Sequence, residues 1–168
     1  MKGGGGAVVS APAIKKYDQM SALALVGTPA NLNETVLKSL TIPANTLNAD
    51  RRSIRIRAWG RKAGNVNSVT VRIRFGTVTL AGTIIANIAA TAVSAAWAIE
   101  VELFRTGTGA QWSVARNLFN ATTPTVTQIT PAIDETQAIL VEVTGQNTVA
   151  NANDVEAIGL SVEYVDAP

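Results

Sequence analysis

Eight of the 14 basic residues fall between Arg51 and Arg74. Cations at that density could hold a polyanion, either nucleic acid or an anionic surface glycan. Their alternation with apolar residues points elsewhere. In SIRIRAW, Ile54, Ile56 and Ala58 share one parity, and Arg55, Arg57 and Trp59 share the other. In VTVRIRFG, Val69, Val71, Ile73 and Phe75 alternate with Thr70, Arg72 and Arg74. A strand turns successive side chains to opposite faces, so each run has one apolar face and one basic face. Acids stand on other alternating runs: Glu100 and Glu102, Glu142, and Glu163. Arg55, Arg57, Arg72 and Arg74 are expected to pair with these four, within a sheet or across a subunit interface. Such pairs contribute roughly 0.2–1 kcal/mol each and help set register. A net charge of +2 is too small to argue for a nucleic-acid partner.

Other residues offer less chemistry. Glu100 and Glu102 would stand ~7 Å apart along a strand, a spacing that glycosidase carboxylates also use. Any strand with two outward acids has that spacing, and no aromatic platform accompanies this one. Asp134–Glu135 and Asp154–Glu156 could face Ca²⁺, but neither has a ligand series. The four-glycine run Gly3–Gly6 precedes no strand–helix unit that would make a phosphate loop. Histidine and cysteine are both absent, which removes the commonest general base, thiol catalysis and thiolate metal sites. No enzymatic activity, cofactor or metal is therefore expected. Of the three tryptophans, Trp97 shares parity with Ile99 and Val101 and should be core. Trp59 shares parity with the arginines and should lie at the surface or a subunit contact, and Trp112 goes with Val114.

The elements that position these residues are strands. Turn and breaker residues divide residues 34–165 into about eight runs of strand length. They are Glu34–Ile42, Ser53–Trp59, Ser68–Phe75, Thr77–Ile85, Trp97–Gly107, Ala110–Phe119, Gln137–Gly145 and Asp154–Val165. ThrGlyThrGly at 106–109 reads as a hairpin turn, and residues 121–135, broken by Pro124 and Pro131, as an edge strand or loop. The strongest helical stretch, Ala86–Ala96, is rich in alanine but unpatterned and uncapped. The pattern predicts an all-β fold: an eight-stranded jelly-roll-like β-sandwich with an extended N-terminal arm. A meander barrel or an immunoglobulin-like sandwich remains open on the pattern alone. In jelly-roll order the two basic strands enter different sheets, so Arg55 and Arg57 should point away from Arg72 and Arg74.

Composition supports a globular domain built to assemble. Hydrophobic residues make up 47% of the chain and charged residues only 15%, well below the usual quarter. A small domain so poor in charge often hides surface in an assembly. Residues 1–30 differ from the rest, with four glycines, Pro12, Lys15–Lys16 and scattered apolar patches. They are expected to form a flexible, partner-binding arm that orders on its target, ahead of a sandwich domain at 31–168. Within the arm, Val8, Val9, Ile14, Lys15, Lys16 and Tyr17 are the candidate contacts. No apolar run reaches signal-peptide or membrane-spanning length, so neither secretion nor a membrane partner is expected.

TIPANTLNADRRSIRIRAWG (Thr41–Gly60), VTVRIRFG, WAIEVELFRTGTGAQ (Trp97–Gln111) and NDVEAIGLSVEYV (Asn153–Val165) together resemble a β-sandwich module of tailed-phage virions. That module occurs in head-decoration, head-fibre and tail-associated proteins. The resemblance implies a jelly-roll-like fold, assembly into trimers and a structural or receptor-contact role without enzymatic activity. In many members the module ends a longer fibre chain. Here it follows only a short arm, which favours a decoration (cement) protein on the outer capsid surface, with the major capsid protein as partner. The alternative is a head- or tail-fibre module contacting host glycans through loops such as Arg61–Ser68 or Gly145–Asn153.

Overall fold

A computed structural model describes residues 17–90, 94–120 and 124–165. Eleven strands are present among them, all paired antiparallel. They are β1 (Tyr17–Met20), β2 (Val26–Gly27), β3 (Thr35–Ile42), β4 (Ser53–Lys62), β5 (Val69–Gly76), β6 (Thr83–Ala90), β7 (Ala95–Gly107), β8 (Ala110–Phe119), β9 (Thr125–Ile129), β10 (Ile139–Asn147) and β11 (Val155–Val165). The larger sheet has the order β1-β11-β4-β7-β8-β9, with β2 also on β11. The smaller has the order β3-β10-β5-β6. The two pack face to face as a jelly-roll-like sandwich. The expected eight strands are joined by β9 and by two short strands from the segment read as arm.

The core follows from the period-two patterning. Ile54, Ile56 and Ala58 of β4, and Trp97, Ile99, Val101 and Leu103 of β7, face Val71, Ile73 and Phe75 of β5 and Val141 and Val143 of β10. At β11 a bulge between Ala157 and Gly159 shifts the register against β4. An extra residue in one strand resets its parity. Val155 and Ala157 can then face inward before the bulge, and Leu160, Val162 and Tyr164 after it. The same bulge brings Gly159 opposite Trp59. A Cβ on Gly159 would lie 2.3 Å from Cζ2 of that ring, so glycine there gives the indole its seat.

Two local expectations are corrected. Thr77–Ile85 does not continue as a strand: residues 77–82 turn, Leu80 adopts φ 59°, and the strand begins at Thr83. The Leu80 N–H is held by the Glu142 carboxylate at 2.9 Å, and that bond fixes the turn. The alanine-rich stretch 86–96 is no helix where it is described, since it supplies the end of β6 and the start of β7. Alternation of buried Ala86, Ile88 and Ala90 with exposed Asn87 and Ala89 suits a pleat, and sheet context outweighs alanine's weak helical preference. The β7–β8 hairpin forms as expected, with Gly109 at φ 62° in its turn.

Candidate interaction surfaces

The outer face of the larger sheet carries a charge ladder of alternating sign. Register places Glu163 of β11, Arg55 of β4 and Glu102 of β7 in one row. The next row holds Ser161, Arg57, Glu100 and Arg116 of β8. Arg57 lies 3.1 Å from Glu163 and 3.4 Å from Glu100; Arg55 lies 3.7 Å from Glu102 and 3.9 Å from Glu163. The arginines and Glu100 and Glu102 are 40–54% exposed. Ion pairs so wet are worth at most about 1 kcal/mol each, so this ladder steers register more than it stabilises. The Arg116 side chain makes no ion pair or hydrogen bond among the described residues. Apolar groups flank the charges. Trp59 is half-buried over Gly159, Leu118 and Val126 are exposed, and Trp112 stacks at a tilt on Phe104 with ring centroids 6.0 Å apart.

The smaller sheet's outer charges are arranged differently. Glu34, just before β3, takes both ends of the Arg74 guanidinium at 2.7 and 2.8 Å, Arg72 at 3.1 Å and the Thr144 hydroxyl at 2.5 Å. These side chains are only 15–20% exposed. The Arg74 hydrogen bond outweighs burial and, with Thr144 and the arginine charges, holds the Glu34 carboxyl down at about 2. The acid expected to pair here was Glu142. Glu142 stands opposite Arg74 in register, yet it is 2% exposed and accepts the Leu80 N–H, while the arginine turns to Glu34. Glu34 stands just before β3 and has no alternating partner in sequence, so parity could not single it out.

A third surface is the root of the N-terminal segment. Tyr17 pairs with Tyr164 along the free edge of β11; Val8, Val9, Ile14, Lys15 and Lys16 lie outside the described residues. Beyond β1 the chain is held by its backbone. The Ser21 N–H donates to the Leu160 carbonyl at 2.8 Å, and the Leu160 N–H donates to Ser21 Oγ at 2.9 Å. Lys38, buried on β3, reaches across the open edge of the sandwich and donates to the carbonyls of Ala22 (2.7 Å) and Ala24 (2.5 Å). The side chains stay out: Met20 and Leu23 are each 60% exposed, and Leu25 is 49% exposed. Residues 17–27, read in sequence as arm, thus contribute two strands to the larger sheet.

The loops after β4 and before β11 meet at one end of the sandwich. They border an open groove of roughly 560 Å³ lined by Arg61, Asn65, Ser94, Asn151, Asn153 and Glu156 among others. Its floor is saturated. Lys62, 1% exposed, donates to the carbonyls of Ala63 and Asn65, and Asp154 accepts from the amides of Asn65 and Asn67. Arg61 pairs with Glu156 at 2.5 Å. At the β7–β8 turn Arg105 pairs with Glu135 and Asp50, and Glu135 also accepts the Gly109 N–H at 2.8 Å. Burial pushes the Glu135 carboxyl up, but Arg105 and two backbone N–H groups outweigh it and leave it below its usual range. The acids that could have faced Ca²⁺ are therefore engaged by protein groups. Among the described residues no three histidine, cysteine or acidic residues gather as a metal site.

The sequence matches no protein-family profile and no curated protein. Similar solved structures include peanut lectin bound to a nine-residue peptide, at 10% identity and a TM-score of 0.39, covering 95% of each chain. Another is the CBM2 module of the evolved Dit of Lactobacillus casei BL23 phage J-1. It has 10% identity and a TM-score of 0.34, covering 77% of this chain and 69% of that one. No role passes to this chain from either protein.

Proposed function

We propose that this chain is a structural virion protein of a tailed phage, a decoration protein that bridges coat subunits on the outer capsid surface. In this reading it assembles as a homo-oligomer, a trimer as the sequence resemblance implies, and it carries no enzymatic activity. The observation that carries the reading is the root of the N-terminal segment. A chain held by its backbone while Met20, Leu23 and Leu25 face solvent is built to present an apolar strip beside a leading arm. Apolar side chains exposed together mark a contact surface. An arm that orders on its target pays the entropy of ordering there, and several weak contacts across a lattice combine into durable coating.

Residues 17–27 belong to the larger sheet, so removal of residues 2–16 is the cut that spares it. That truncated chain is expected to stay folded and to lose binding to particles stripped of decoration, measured by co-sedimentation. Undiminished coating by the truncated chain would sink the proposal. A second reading, a fibre module contacting host glycans, is favoured by the way the loops at 61–68 and 145–153 meet around one polar groove. Binding of the full chain to a glycan array, abolished by Asn151→Ala with Asn153→Ala, would support that reading over decoration.

A further inference from the structure

The outer face of the larger sheet is complementary to itself. Its cross-strand partners on β4 and β7 are opposite in charge or unequal in size: Arg55 with Glu102, Arg57 with Glu100, Trp59 with Ala98. Consider a second copy turned over onto this face about a twofold axis parallel to the strands, midway between β4 and β7. Position along the strand is unchanged by that rotation, while β4 and β7 exchange places. Each β4 residue then lies over the β7 residue that is its own register partner. Arg55 meets Glu102 of the second copy and Arg57 meets Glu100, while the Trp59 indole, seated over Gly159 of β11, meets Leu118 of β8. The same rotation lays β8 over β11, so Arg116 meets Ser161 beside Glu163.

We infer that this face is an isologous contact between two copies of the chain. Cross-strand pairing alone explains why Arg55 and Arg57 face acids within one sheet. One feature exceeds it. Arg116 has no side-chain partner in its own chain among the described residues, and the twofold supplies acid from β11 of the other copy. Exposed Leu118 and half-buried Trp59 provide the apolar area, and the ladder fixes register and orientation, the usual division of labour at a charged contact. Stacked sheets sit about 10 Å apart, a gap that arginine and glutamate side chains fill from both sides. A twofold contact of this kind is self-limiting. The same rotation lays β9 over β1, so exposed Val126 meets Met20 at the start of the arm root.

The test uses the full chain in solution. Sedimentation velocity should show concentration-dependent pairing that weakens as salt rises. Arg116→Glu and Ser161→Arg should each leave thermal unfolding unchanged and each weaken pairing at least tenfold. An equimolar mixture of the two should pair again, because each change then faces its opposite. The chain contains no cysteine, so Ala98→Cys with a short bismaleimide should yield covalent dimers. Pairing indifferent to both charge variants, or a chain that neither pairs nor cross-links at position 98, would overturn the inference. Loss of coat binding by the 2–16 deletion with pairing intact bears only on decoration, so the two proposals fail separately.

Discussion

The two outer faces of this sandwich use the same residue types to opposite ends. On the smaller sheet, Arg72 and Arg74 converge on one glutamate beneath the chain's own loops, and the charges are 15–20% exposed. On the larger sheet, Arg55 and Arg57 form an open ladder, 40% exposed or more. Geometry and water decide what each is worth. A bidentate, half-desolvated arginine–carboxylate pair is among the stronger polar contacts, whereas a wet ladder contributes little to stability. The covered face is a structural device. The open face leaves its charges in water.

The sharpest way to break this contrast is to remove Glu34. Its carboxyl is held at about 2 against an ordinary 4.5, a difference worth on the order of 3 kcal/mol. A depressed carboxylate contributes fully above its unfolded value and loses that contribution as pH falls toward the folded one. Glu34→Gln should therefore cost about 3 kcal/mol in urea denaturation at pH 7. The penalty should shrink as pH drops from 4.5 towards 2, and a penalty independent of pH would contradict the assignment. Lys38→Met comes next. Losing two carbonyl hydrogen bonds should cost about 1–2 kcal/mol and should speed amide exchange at Ser21, whose N–H is bonded to Leu160, far more than in β5. Uniform exchange across both would mean that Lys38 does not hold the arm root.

Smaller effects belong to the open face. Arg55→Ala should cost no more than about 1 kcal/mol, and less in high salt. A cost comparable to that of Glu34→Gln would erase the distinction between the faces. Arg116→Glu should change stability by less than about 0.5 kcal/mol, its effect appearing only in association.

Much of this contrast was legible in the chain itself. Alternation in Ser53–Trp59 and Val69–Phe75 separates core from charge, and the two runs do enter different sheets, so the apparent basic cluster is split between opposite faces. Glu100, Glu102 and Glu163 lie beside arginines because parity and antiparallel register together bring them there. Parity fails where the backbone departs from a regular strand. The bulge after Ala157 resets which residues of β11 face inward, and the turn at 77–82 draws Glu142 to a backbone N–H. Glu34 and Lys38 were silent for another reason. Their partners are more than ten residues away and sit at strand ends or on main-chain carbonyls, which no spacing rule can reach.

The central claim is that this chain is an assembly module whose arm root and open face are its contacts. It is tested most directly by imaging a particle that carries the chain at subunit resolution. The account predicts the chain on the outer capsid surface, with Leu23 and Leu25 against coat protein, the ladder face against a second copy and the smaller sheet's outer face toward solvent. A chain located only at the tail, or one whose arm root and ladder face both stand free, would contradict it.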